Sequence, residues 1–157
     1  MSADAPEVTS AARDDRVMAM AVAQADRARF WARPNPWVGA VVVAPSGAAF
    51  AGFTEPPGGR HAERVALDAA GDDAAGATVY VTLEPCCHHG RTPPCADALI
   101  DAGLVRVVVG VTDTDPQVAG LGIERLRQAG IRVDLGKRRD AVKNQLAPYL
   151  HHRRTGR

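Results

Sequence analysis

Strand-like and helix-like segments alternate along most of this chain, and that alternation is what most limits the folds open to it. Val105 to Val111 is a run dense in β-branched residues with no polar alternation, the pattern of a strand covered on both faces. Helical patterns flank it, from Pro94-Cys95 to Ala102 and from Ile123 to Ala129. Thr78 to Leu83 and Ile131 to Leu135 read as further strands, and Asp140 to Leu150 as a last helix. Upstream, Val17, Met18, Ala21, Val22 and Ala25 recur at helical spacing, so Asp14 to Ala32 is expected to be an amphipathic helix ended by Pro34 and Pro36. Val38 to Ala44 and Ala48 to Phe53 flank the turn signal Pro45-Ser46-Gly47 and read as a hairpin. A short helix from His61 to Ala70 would bury Ala62, Val65, Ala66 and Ala69. The expected fold is one three-layer α/β/α domain on a five-stranded, mixed but mostly parallel sheet. Residues 13–150 form it, 1–12 are a loose arm, and 151–157 are a basic tail or linker stub.

Composition excludes several classes of function. Nineteen Lys+Arg against eighteen Asp+Glu leave a net charge of +1, no basis for binding nucleic acid or an acidic membrane through a basic excess. No apolar run approaches the roughly 18 residues of a membrane span, and Met1 to Ser10 has no apolar signal core. A cytoplasmic domain is expected. Three clustered cysteines, Cys86, Cys87 and Cys95, are a poor disulfide framework and point to free thiols or a metal site. Gly120-Leu121-Gly122 opens a helix after a strand, but Arg125 stands at the third glycine position of a dinucleotide fingerprint, and an ordinary helix-entry turn is expected.

Two segments carry chemistry. His61-Ala62-Glu63 lies at a loop-to-helix junction, and Pro85-Cys86 to Pro94-Cys95 runs from a strand end to another helix start. One imidazole and two thiolates, His61, Cys86 and Cys95, suit Zn²⁺ with a fourth position left for water, the catalytic type of site. Zinc brings the pKa of a bound water toward neutrality. Glu63 beside it would move the proton, a role that contributes about 10²–10⁴-fold. The same residues could also hold a purely structural zinc, or be a core histidine beside buried thiols. A His-x-Glu segment followed by a Pro-Cys pair is the pattern of zinc nucleobase deaminases, in which two residues usually separate the cysteines. Here eight residues lie between Cys86 and Cys95.

With that longer spacing, the chain from Pro34-Asn35-Pro36 through Gly58-Gly59-Arg60-His61-Ala62-Glu63 to Leu83-Glu84-Pro85-Cys86 and Gly90-Arg91-Thr92-Pro93-Pro94-Cys95 resembles the deaminase half of the bacterial riboflavin-biosynthesis deaminase/reductases. The resemblance continues into Asp113-Thr114-Asp115-Pro116 and covers nearly all of the chain from about residue 17. It implies a cytidine-deaminase-like fold and hydrolysis of the C2 amino group of 2,5-diamino-6-ribosylamino-4(3H)-pyrimidinone 5′-phosphate, giving the 5-aminouracil nucleotide and ammonia. It also implies one Zn²⁺ per chain on His61, Cys86 and Cys95, with Glu63 as proton shuttle. Asn35, His88, Arg91, Asp113 and Asp115 fall where the family contacts pyrimidine, ribose or phosphate. Arg91 could offer a cationic fork to phosphate, while turn capping competes as a role for both aspartates. The family often has Asn at the position of Asp115 and Arg at that of Leu121. Its NADPH-dependent reductase begins about where this chain ends, so no NADPH site is expected here, and a separate reductase is a candidate partner. Homo-oligomers are compatible with the resemblance. Two alternatives remain at this point: a deaminase of another base or nucleoside, and a catalytically silent zinc module partnering a separate reductase.

Overall fold

The computed structural model describes residues 10–88 and 93–156. The elements run α1 (Ser10–Ala28), β1 (Gly39–Val43), β2 (Ala49–Phe53), α2 (Ala62–Ala70), β3 (Thr78–Leu83), α3 (Cys95–Asp101), β4 (Arg106–Val111), α4 (Leu121–Gln128), β5 (Arg132–Leu135) and α5 (Arg139–Thr155). Their order in the sheet is β2-β1-β3-β4-β5. β1 pairs antiparallel with both β2 and β3, whereas β3-β4 and β4-β5 are parallel. Four strands therefore point one way and only β1 runs against them, which is the mixed, mostly parallel sheet expected.

Side-chain alternation sorts the helices between the two faces. Val41, Tyr80 and Val108 pack with Val17, Met18 and Ala21 of α1 on one face. α5 shares that face, since a side chain at Gly110 would meet Val142. Val42, Val79, Val81, Val107 and Val109 point the other way, toward α2, α3 and α4, in a cluster that also takes in Val142, Leu146 and Leu150 of α5 around the sheet's end. Two glycines make these layers close. A Cβ on Gly39 would collide with the Ala21 carbonyl of α1, and one on Gly52 would lie 2.6 Å from the Ala62 carbonyl of α2.

A partly buried ion-pair network pins α1 to the sheet. The guanidinium of Arg106 in β4 grips Asp14 bidentately at 2.9 and 2.7 Å, and its Nε donates to Asp134 of β5 at 2.7 Å. The Tyr80 hydroxyl donates to Asp14 at 2.7 Å. Hydrogen bonding to Arg106 holds the Asp14 carboxyl below its ordinary range against the opposing effect of burial.

Three local expectations need correcting. α1 starts at Ser10, inside the segment expected to be a loose arm, and ends at Ala28 rather than near Ala32. α2 buries Ala62, Glu63, Ala66, Leu67 and Ala70, whereas Val65 is only half-buried and Ala69 is exposed. The helix lies close on β2 at Gly52, where a side chain would meet the Ala62 carbonyl, the Ala66 amide and the Val65 Cβ, while Glu63 faces the interior. α5 continues to Thr155 with Pro148 inside it, so residues 151–155 are helical rather than a separate tail.

Candidate active site

The chemistry-bearing residues gather where β3 and β4 end, the edge at which open α/β sheets bind ligands. β1 runs the other way, so the segment before it, with Asn35 and Pro36, reaches the same edge. The chain leaving β2 reaches it too. Thr54 accepts the amide of Val38 at 3.0 Å and Thr82 accepts that of Gly39 at 3.2 Å, joining these entries to the sheet. The Trp37 indole donates to the Gln145 carbonyl at 3.0 Å, tying the Asn35 segment to α5.

His61 is the residue before the first turn of α2, with extended backbone, and Cys95 is the first residue of α3. Cys86 follows β3 by three residues. Donor atoms of His61, Cys86 and Cys95 all lie within 4.8 Å of one another. His61 Nδ1 is 3.2 Å from Cys95 Sγ and 3.9 Å from Cys86 Sγ. Tetrahedral zinc, with bonds of about 2.1 Å to nitrogen and about 2.3 Å to sulfur, needs N···S separations of about 3.5 Å, so the donor set fits the ion in kind and in spacing. The Cys95 amide donates to Cys86 Sγ at 3.3 Å. Hydrogen bonds from Cys95 and His61 bring the Cys86 thiol down to about 4, while that thiolate and burial push Cys95 up. A metal ion would let both ionise together. Cys87 stands outside this cluster, half-buried, its thiol pushed up by burial.

Glu63 is only 4% exposed. Burial, with the Cys86 thiolate, lifts its carboxyl to about 6 against the opposing pull of His61. A carboxyl so placed can both take and return a proton near neutral pH.

A cavity of about 250 Å³ opens over these groups. Of the residues singled out in the sequence, His61, Glu63, Cys86, Asn35, His88 and Asp113 line it. Cys95 joins the cluster from beneath, 6% exposed. Asp115 is not among the lining residues but pairs with one that is, Arg153, at 3.0 Å. Arg91 lies outside the described residues, as does His89. Both aspartates do cap turns: Asp113 Oδ1 accepts the Asp115 amide at 2.9 Å, and Asp115 Oδ1 that of Gln117 at 3.0 Å.

Among the lining residues that the sequence reading gave no role are Glu84, Tyr149 and Arg153. Glu84 is buried, and its Oε1 accepts the amides of Asp113 and Gly120, each at 2.8 Å, closing the loop between β4 and α4. Its Oε2 is buried without a hydrogen-bond partner among the described residues. The Leu-Glu-Pro-Cys run was visible, but nothing local marks that glutamate as a loop clamp. Tyr149 has its hydroxyl pushed up to about 12 by burial and by Asp113, so it stays protonated. The two glycines after the loop have structural reasons. Gly120 takes φ of 81° at the helix entry, and Gly122 lies against the Pro85 carbonyl with no room for a side chain.

Comparison with known proteins agrees with this geometry. The family model for the cytidine and deoxycytidylate deaminase zinc-binding region matches residues 11–111. The riboflavin biosynthesis protein RibD of Escherichia coli (strain K12) is 49% identical over 144 residues, covering 92% of this chain and 39% of that protein. Acinetobacter baumannii RibD, form 2, superposes with a TM-score of 0.90 at 42% identity, over 94% of this chain and 42% of that one. A Thermotoga maritima protein described as a diaminohydroxyphosphoribosylaminopyrimidine deaminase/5-amino-6-(5-phosphoribosylamino)uracil reductase does so with a TM-score of 0.88 at 38% identity, over 95% of this chain and 43% of that one. The chain thus spans less than half the length of these relatives. No helix among the described residues is long and apolar enough to cross a membrane. With its site built on the matched segment, the chain belongs to the cytidine and deoxycytidylate deaminase family and carries that family's zinc-binding region.

Proposed function

We propose that this chain is a zinc-dependent hydrolytic deaminase acting on 2,5-diamino-6-ribosylamino-4(3H)-pyrimidinone 5′-phosphate in riboflavin biosynthesis, a cytoplasmic reaction. The observation that carries the proposal is Glu63, a carboxylate buried in the cavity floor beside His61 and Cys86. A zinc site that only held the fold together would have no use for an acid buried there.

His61, Cys86 and Cys95 would hold the ion, which when bound supplies an acidified water at neutral pH. Glu63 takes a proton from the attacking water as its oxygen bonds to C2 of the ring. It then returns the proton to the departing amine, the C2–N bond breaks and ammonia leaves. Asn35, His88 and Asp113 line the walls that orient the ring and its substituent. Arg91 remains the candidate for the phosphate, assigned from the sequence. The Thermotoga maritima relative couples a deaminase with a 5-amino-6-(5-phosphoribosylamino)uracil reductase, so a reductase is the natural consumer of the product here.

Ammonia release from that nucleotide, with zinc content measured on the same sample, tests the reading. Turnover with about one zinc per chain is expected. Zinc without turnover on this substrate would overturn it in favour of another pyrimidine or a silent module.

A further inference from the structure

We propose that Arg153, held in place by Asp115, is a substrate-binding residue which with Asp113 reads the sugar hydroxyls of the nucleotide; this rests on the deaminase reading above. Arg153 sits in the last turns of α5 and lines the same cavity as His61 and Glu63. Its Nη2 is 3.0 Å from Asp115 Oδ2, and its Nε is 3.8 Å from Asp113 Oδ1, beyond hydrogen-bond reach. The guanidinium carbon stands 6.0 Å from the centre of the Tyr149 ring. That Nε is buried and has no hydrogen-bond partner among the described residues. With Nη2 turned to Asp115, the remaining N–H groups of a guanidinium that lines the cavity are donors a ligand oxygen can take.

The wall is otherwise rigidly built. Glu84 fixes the Asp113 amide, and the Thr114 hydroxyl donates to the Leu150 carbonyl of α5 at 2.8 Å, so loop and helix move as one. Two carboxylates facing one guanidinium leave this wall net negative, which disfavours a phosphate dianion. Acceptor carboxylates beside a donor guanidinium match instead a group that both donates and accepts, which is what an alcohol does. A ribose diol presents two such groups side by side. The base would then lie over Glu63 and the sugar along the wall made by β4's loop and α5.

The test compares wild type, Arg153→Gln and Arg153→Lys on three substrates: the nucleotide, its dephosphorylated nucleoside and the free diaminopyrimidinone base. For Arg153→Gln the expected result is a KM raised at least about tenfold on nucleotide and nucleoside alike, with kcat within about threefold. The penalty should shrink to about twofold or less on the free base, and lysine should restore binding only in part because an ammonium lacks the planar fork. An unchanged KM on the nucleoside overturns the proposal. So does a penalty confined to the nucleotide, which would make Arg153 a phosphate reader. Zinc content and thermal melts guard against misfolding. If Arg153→Gln does not fold, Arg153→Met, which keeps the length of the side chain and removes its N–H groups, decides by the same KM criterion. Wild type inactive on all three substrates would refute the deaminase assignment itself; calorimetric titration of the nucleoside into wild type and Arg153→Gln would then decide Arg153 separately, equal affinities overturning it.

Discussion

Cys95 donates its backbone amide to the sulfur of Cys86 at 3.3 Å, while its own sulfur lies 3.2 Å from Nδ1 of His61. One residue at the start of α3 thus touches both of the other candidate ligands, and its removal should be felt by the whole cluster. Cys86→Ser and Cys95→Ser are each expected to lower zinc affinity by at least about 100-fold, beyond the loss typical of outer-shell partners. Competition titration against a chromogenic chelator measures it. Zinc affinity within about threefold of wild type in either variant would remove that cysteine from the ligand set.

Glu63→Gln should keep zinc and lose at least about 10²-fold in kcat. It should also stabilise the metal-free protein. The Glu63 carboxyl is lifted by burial to about 6, above its unfolded value, so folding favours the neutral form and the penalty builds as pH rises from the unfolded value to about 6 and is constant above it. At pH 8 the metal-free variant should gain about 1–2 kcal/mol over the metal-free parent, a difference that vanishes by pH 4. Urea midpoints at the two pH values give the answer.

Acid stability should depend on Asp14. Its folded pKa lies below the unfolded value because Arg106 bonds the ionised form, so its contribution is fully present above the unfolded value and is lost as pH falls through the lower folded one. Asp14→Asn is expected to cost about 3 kcal/mol at pH 7, the lower end for breaking a buried pair, because Arg106 keeps Asp134. The gap should narrow toward pH 2. A constant gap from pH 7 to pH 2 would mean the pair contributes nothing through ionisation.

Gly39→Ala should destabilise by about 1–3 kcal/mol through overpacking, because the new methyl group meets the α1 backbone at Ala21 and Ala25 rather than a movable side chain. Chemical denaturation of the variant measures this directly. A wild-type midpoint would mean that α1 can lift from β1 without cost.

How far the sequence could be read follows the range of the forces involved. The strands and helices were legible because each buries a face whose period is written locally, as in Val105 to Val111. His61, Glu63, Cys86 and Cys95 were legible because their chemistry is tied to short spacings at element ends. The buried stripe of α2 was misjudged because which face is covered depends on how the helix lies on β2, a distant strand whose approach local periodicity does not show. Arg153 was missed for a similar reason. His151 to Arg154 read locally as a solvated basic stretch, and only the approach of Asp115 from a distant loop makes one of those arginines part of a cavity wall. Glu84 shows the same blindness, since its two amide partners come from beyond the next strand.

Glu84 also has a consequence for what such a chain can become. By taking the amides of Asp113 and Gly120 on one oxygen, it fixes the two ends of a loop and leaves the residues between them free of its grip. The span from Thr114 to Ala119 is held elsewhere, by Thr114 on the Leu150 carbonyl and by Asp115 on Arg153, so its own side chains, and not Glu84, set the shape of the wall it makes with α5. A lineage built on this frame can therefore reshape that wall by changing few residues, while the cluster on α2 and α3 stays as it was.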